Sequence, residues 1–200
     1  MSSLEVNNLS CQRGYNQLFS QLSFTANSGE VWRISGTNGS GKTSLLKILA
    51  GINTYEQGSV MLDQQVLRSD EYRQNVFYLG HLSALSSELS ALENLAYLCA
   101  LHQEKDQAAL LQYLAEIGLK GYEYEICGKL SAGQKRRVIL AGLFASKAKL
   151  WLLDEPFTAL DPKGVEIVEQ CIRTHTQQGG ICLFTTHQDS ALENQQVLSL

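Results

Sequence analysis

Gly36-Thr37-Asn38-Gly39-Ser40-Gly41-Lys42-Thr43 fits the phosphate-loop pattern G-x-x-x-x-G-K-[ST] at every fixed position. The flanks fit as well. Val31-Trp32-Arg33-Ile34-Ser35 before it is a short β-rich run, and Ser44 to Ala50 after it is an apolar-rich helix stopped by Gly51. A strand, a glycine loop and a helix in that order give the motif its physical sense. Gly36, Gly39 and Gly41 admit backbone conformations that a side chain would block. Successive N–H groups then turn inward as a nest for phosphate oxygens, backed by the positive end of the helix dipole. Lys42 is expected at the β- and γ-phosphates as a compact charge. Thr43 is expected to offer its hydroxyl to Mg²⁺. Taken alone, a plain Gly/Ser-rich turn competes with this reading.

The chain around this loop has 200 residues, enough for one domain with an inserted lobe. Hydrophobic residues make up 44% and charged residues 18%, an ordinary balance for a soluble globular protein. The net charge of −4 argues against a general nucleic-acid surface but not against a local phosphate site. No run approaches the roughly 18 apolar residues of a membrane span. The first residues, Met1-Ser2-Ser3-Leu4-Glu5, have neither a basic nor an apolar signal region, so no secretory signal is expected. Cys11, Cys99, Cys127, Cys171 and Cys182 are scattered, with no C-x-x-C, and read as reduced thiols.

On the N-terminal side of the loop, Leu4-Glu5-Val6 reads as one strand. Phe19 to Thr25 alternates apolar and polar residues and reads as another. Arg13-Gly14-Tyr15-Asn16 turns between them. Tyr15 and Arg13 are both candidates to stack on an adenine ring, and an exposed turn residue fits the position equally well. On the C-terminal side, Val76-Phe77-Tyr78-Leu79 is a buried strand ending at Gly80-His81. Ligand loops sit at the ends of parallel strands, which puts His81 within reach of a metal or a nucleophile. A structural histidine fits the same place.

From about 83 to 146 the sequence is helical throughout. Ser90-Ala91-Leu92-Glu93 is a capping box opening a helix through about Leu101. A second helix runs from about Asp106 to Ile117, ended by Gly118. Leu130-Ser131-Ala132-Gly133-Gln134 opens a third, with Ser131 and Gln134 as its capping box and a run through Leu143. The free N–H groups at that helix start are accessible to an anion. The expected organisation is an α/β core over 1–82 and 147–200, with a β subdomain, and a helical lobe over 83–146.

Leu150-Trp151-Leu152-Leu153-Asp154-Glu155-Pro156 gives the phosphate loop its partner. Four apolar residues make a buried strand, and two acids stand at its carboxyl end. Burying adjacent carboxylates without a cation is costly, and a Mg²⁺-bound triphosphate supplies the reason for them. Asp154 would hold Mg²⁺ and Glu155 would orient or deprotonate the attacking water. Pro156 and Pro162 bracket Phe157-Thr158-Ala159-Leu160-Asp161 and stiffen the connection past the site. Ile181 to Thr185 is a further buried strand, leading to Thr186-His187, where His187 can donate to the γ-phosphate.

Together these residues resemble the ATP-binding subunit of an ABC transporter, in order and spacing, over nearly the whole chain. Leu130-Ser131-Ala132-Gly133-Gln134 resembles the family signature, Asp154-Glu155 the Walker B pair, Ala159-Leu160-Asp161 the D-loop and His187 the switch histidine. Within the superfamily the chain is similar to the ATPases of haem export in cytochrome c biogenesis. Gly80-His81, Leu92-Glu93-Asn94-Leu95, Phe157 to Asp161 and Gly179-Gly180 to Thr185-Thr186-His187-Gln188 carry that nearer likeness. His81 stands where most members have the Q-loop glutamine, Ala132 replaces the commoner first signature glycine, and Arg13 or Tyr15 takes the place of the adenine-stacking aromatic.

The resemblance implies an α/β P-loop NTPase fold. A mostly parallel core sheet would carry an N-terminal antiparallel β subdomain and an inserted helical lobe. It implies ATP and Mg²⁺ as cofactors, and an ATP-dependent homodimer. Each ATP would be held by Gly36 to Thr43 of one chain and Ser131 to Gln134 of the other. It implies integral membrane subunits of the CcmB and CcmC kind as partners, and a peripheral position on the cytoplasmic face of the inner membrane. Two other functions compete: a soluble ABC-type ATPase acting on DNA or ribosomes, and a non-catalytic nucleotide-binding module. The acidic charge argues against the first, and the presence of Glu155 and His187 against the second.

Overall fold

A computed structural model of the chain describes residues 2–80, 85–100, 106–188 and 190–200. In chain order, β1 (Ser3–Arg13) and β2 (Asn16–Asn27) form a hairpin, and β3 (Val31–Ser35) leads through the phosphate loop into α1 (Lys42–Leu49). β4 (Gln57–Leu62), β5 (Gln65–Val66), α2 (Asp70–Gln74) and β6 (Val76–Leu79) follow. The helices α3 (Ala91–Ala100), α4 (Gln107–Glu116), α5 (Ala132–Leu140) and α6 (Gly142–Ala145) come next. β7 (Leu150–Asp154), α7 (Pro162–Gln177), β8 (Ile181–Thr185) and β9 (Gln196–Ser199) complete the described elements.

The elements gather into two compact units. The first comprises Met1–Tyr78, Ala148–Glu155 and Ile172–Leu200. It holds an antiparallel sheet in the order β2-β1-β4-β5 and a second sheet in the order β6-β7-β8-β3-β9. In the second sheet β7–β8, β8–β3 and β3–β9 all pair in parallel. Parallel strands need crossovers and coverage on both faces, so β7 and β8 are buried along their whole length and read as continuous apolar runs. Ile34, Leu45, Leu46, Leu152 and Leu183 pack one face of that sheet against α1, in a core that also takes Leu4, Val6 and Val60 from the antiparallel sheet.

β1 and β2 are longer than the alternation in the sequence suggests. The pairing of β1 with β2 shifts register between Val6 and Leu9 and again between Leu9 and Cys11. Asn8 and Gln21 take positive φ, 49° and 51°, beside these shifts. Bulges of this kind break period-2 alternation while the ladder continues, so a polar pair such as Asn7-Asn8 looks like a strand end in sequence. β9 and α2 carry no sequence signal: β9 is mostly exposed, and five residues are too few for helical periodicity. α2 is instead set by its cap, with the Ser69 hydroxyl accepting from the Tyr72 N–H at 3.2 Å.

The second unit comprises Leu79–Lys147 and Pro156–Cys171. Its helices bury Leu92, Leu95, Leu110, Leu114, Val138 and Leu140. Both capping boxes read from the sequence are formed: Ser90 with Glu93, and Ser131 with Gln134. The helix that begins at the second box stops at Leu140 and restarts as α6 at Gly142, earlier than the apolar run to Leu143 suggests. Pro156–Cys171 belongs with these helices because Arg137 of α5 bonds Asp161, which in turn accepts the Gly164 N–H at 2.9 Å and starts α7. Among the described residues no helix is long and apolar enough to cross a membrane.

Candidate nucleotide site

In the first unit, β3 carries the chain up to Gly36, and α1 begins at Lys42. Two glycines are required by geometry. At Gly36 (φ 149°) a Cβ would lie 2.5 Å from Ser40 Oγ and 2.9 Å from the Leu200 carbonyl oxygen. At Gly41, the N-cap of α1, φ is 104° and a Cβ would meet Leu18 at 3.0 Å. No side chain caps α1 and its first turn carries no acid, so its N–H groups and its dipole are left to an anion. Lys42 folds back into the loop, only 8% exposed. Its Nζ donates to the carbonyls of Gly36 at 2.8 Å and Thr37 at 3.1 Å. A charge held there is preorganised at the centre of the nest.

The next residue reaches the acids. Thr43 Oγ1 donates to Asp154 Oδ1 at 3.2 Å, joining the start of α1 to the end of β7. Asp154 is 2% exposed. Thr185, at the end of β8 and in register with Asp154, donates to the same Oδ1 at 2.8 Å. Its oxygen also accepts the Glu155 N–H at 2.9 Å. Glu155 has left β7 with φ 52°, and its Oε1 lies 3.5 Å from His187 Nε2. Glu155 is largely shielded while His187 is exposed. Burial first, and the negative charge of Asp154 second, push the Tyr78 phenol up to about 12, so it stays protonated beside the acid.

A cavity of about 520 Å³ adjoins this helix start. Gln12, Arg13, Leu18, Thr43, Ser44 and Lys47 are among its lining residues. Its volume falls within the range of small-molecule sites. Arg13 therefore borders the cavity, whereas Tyr15 is fully exposed at the hairpin tip and is not part of the lining. His81, expected within reach of a metal or a nucleophile in the place of the Q-loop glutamine, lies outside the described residues.

Ser131, Ala132, Gly133 and Gln134 are in the second unit, at the start of α5. Ser131 Oγ accepts the Gln134 N–H at 3.2 Å, and Gln134 Oε1 accepts the Ser131 N–H at 2.9 Å. The reciprocal bonds hold the helix start open at the surface, with Ser131 and Ala132 exposed. Gly133 faces the loop before α7, where a Cβ would come 3.0 Å from the Ala159 carbonyl oxygen. That approach explains glycine at 133.

Residues 19–158 match the sequence profile of the family described as ABC transporter, a span that contains the phosphate loop, the signature-like helix start and both acids. The chain belongs to the ABC transporter family. Its relatives agree along nearly their whole length. The cytochrome c biogenesis ATP-binding export protein CcmA of Vibrio cholerae is 46% identical over 194 residues, 96% of this chain and 94% of the relative. The CcmA proteins of Aliivibrio fischeri and Escherichia coli K12 are 42% and 46% identical, covering 97% and 94% of the chain and 96% and 90% of their own lengths. Among solved structures, a putative ABC transporter ATP-binding protein from Pyrococcus furiosus superposes with a TM-score of 0.84. It is 22% identical and covers 99% of this chain and 97% of its own. A dimeric ATP-binding cassette in a post-hydrolysis state superposes with a TM-score of 0.82 at 23% identity, over 92% of this chain and 88% of its own. At that identity the structural matches speak for the ABC ATPase fold expected from the sequence.

Thr185 is a residue of the site to which the sequence reading gave no role, although it lies in the stretch that carries the nearer likeness. The signal it does carry is modest: a hydroxyl ending an otherwise apolar strand, two residues before His187.

Proposed function

We propose that the chain is the Mg²⁺-dependent ATP-hydrolysing subunit of an ABC membrane complex that exports or hands on haem for c-type cytochrome maturation. The observation that carries the ATPase part is the bonded series from Thr43 through Asp154 and Thr185 to the Glu155 backbone, with His187 beside the Glu155 carboxylate. It joins the phosphate loop to a shielded acid and an exposed imidazole within one unit.

In this reading the loop N–H groups and Lys42 bind the triphosphate, and Arg13 and Leu18 border the nucleoside end. Thr43 and Asp154 offer the oxygen donors that a hard divalent cation takes, and a hydroxyl that gives its proton to a carboxylate keeps its lone pairs for a cation. Bound there, Mg²⁺ would screen phosphate charge. Glu155 polarises the attacking water and accepts its proton, and His187 donates to the γ-phosphate and orients Glu155. Ser131 to Gln134 of a second copy would close the site, since a half-site left open to water weakens every electrostatic contact within it. ATP would then bind the closed pair better than the open one, which is what shifts the population.

The export role in cytochrome c biogenesis is supported by the relatives, and the membrane partners and haem as cargo by the family resemblance. Three named cytochrome c biogenesis export proteins lie between 42% and 46% identity at near-complete coverage. CcmB- and CcmC-like subunits would carry the complex, with this chain on the cytoplasmic face. An ATPase subunit touches ATP and its partner rather than the cargo, so an exporter of another substrate is the competing reading. Capture from detergent-solubilised membranes, with the bound subunits sequenced and haem measured in the complex, tests this. Recovery of a permease without haem or cytochrome-maturation subunits would overturn the haem assignment and leave the ATPase standing.

A further inference from the structure

The Thr185 side chain is fully buried at the end of β8, directly across the parallel pairing from Asp154. Its hydroxyl bonds both acids of the site at once. It donates to Asp154 Oδ1 at 2.8 Å and accepts the Glu155 N–H at 2.9 Å. A hydroxyl has a single proton, and here the backbone N–H arrives at its oxygen. The proton is thereby directed at Asp154 Oδ1, which accepts it.

The second bond has a conformational consequence. Glu155 sits at φ 52°, in the left-handed region that non-glycine residues seldom adopt. Holding its N–H on Thr185 helps to fix that turn, and from that turn the carboxylate meets His187 at 3.5 Å. The substitution Thr185→Val would fill similar space and leave both the N–H and one Asp154 lone pair without this partner.

We infer that Thr185 is a positioning residue for hydrolysis: its hydroxyl holds the water-polarising Glu155 and the Thr43-bonded Asp154 as one rigid pair. This rests on the ATPase reading above and adds to it a fully buried residue that acts through the two acids. Thr185 acts on turnover through Glu155 and leaves ATP binding to the phosphate loop.

The test compares wild type, Thr185→Val, Thr185→Ala and Thr185→Ser as full chains in complex with the membrane partner. Steady-state turnover, ATP affinity by calorimetry and melting temperature are measured for each. Thr185→Val is expected to lower kcat about 10- to 100-fold, the cost of taking the acceptor away from the part-buried Glu155 N–H, with ATP affinity within about threefold of wild type. Thr185→Ser is expected to return kcat to within about fivefold, because the hydroxyl is restored. Thr185→Ala carries the same expectation as Thr185→Val and covers the case in which the latter fails to fold. In a Glu155→Gln background, removing the hydroxyl should cost less than about threefold more, since the group it positions is already disabled. Unchanged kcat in Thr185→Val or Thr185→Ala would overturn the inference. So would equal losses in kcat and affinity that Thr185→Ser does not restore, or full additivity with Glu155→Gln. A wild-type complex without ATP turnover would instead sink the ATPase reading itself.

Discussion

The substitution Lys42→Met removes the ammonium and keeps a stem of similar length. Lys42 is 8% exposed, and its Nζ donates to the Gly36 and Thr37 carbonyls at 2.8 and 3.1 Å. When a triphosphate enters the loop, the ammonium exchanges those carbonyls for phosphate oxygens. A pair of unit charges at about 4 Å near a protein surface is worth about 4 kcal/mol. Giving up two carbonyl bonds costs about 1 kcal/mol each. The net is about 2 kcal/mol, or about 30-fold in ATP affinity. Calorimetric titration with ATP and, separately, with adenosine measures it. Adenosine binding should be unchanged, because adenosine carries no phosphate for the Lys42 ammonium to meet and Lys42 is not among the residues that line the adjoining cavity. A Lys42→Met variant that binds ATP within about threefold of wild type, or loses adenosine equally, would refute the placement of the phosphates in this loop.

Glu155→Gln should bind ATP but lose most of its turnover and accumulate as an ATP-bound dimer, read by light scattering; an unchanged hydrolysis rate would remove Glu155 from the chemistry. Arg137→Ala should lower Tm by about 5 °C, because the bond from its guanidinium to the Ile117 carbonyl at 2.7 Å is lost together with the tie to Asp161. Arg137→Lys should restore only part of this, since one ammonium does not reproduce a fork. Burial pushes the His175 imidazole down to about 4, against the opposing bonds to the Ile181 and Lys149 backbone. The unfolded chain, at about 6.5, therefore binds the proton first. Stability is complete above that value and is lost as pH falls towards 4, by roughly 3 kcal/mol. His175→Phe keeps a ring on Trp151, now stacked at 4.0 Å, and should flatten that slope in urea melts compared between neutral pH and about pH 4.5.

The first strands show why boundaries are harder to read than motifs. Gly36, Gly41 and Lys42 are legible because each answers a local demand, a positive φ or a charge at a helix start, which one residue type meets. Both capping boxes are legible for the same reason: donor and acceptor lie three residues apart. The bulges of β1 arise from its pairing with β2 and β4, which sequence spacing does not encode. The choice between Arg13 and Tyr15 likewise depends on where the hairpin tip points.

What the sequence determined alone was structure within short reach: the glycine loop between β3 and α1, the helix starts, the apolar strand carrying two acids, and through these the ABC family. The tertiary structure decided what meets across distance. Thr43 and Asp154 are separated by 111 residues and Asp154 and Thr185 by 31, yet each pair shares a hydrogen bond. Parallel pairing of β7 with β8 sets Thr185 opposite Asp154, and the return of α1 onto β7 brings Thr43 to the same oxygen. Those contacts follow from burying the apolar faces of separate elements in one core, and no local pattern of residues specifies them.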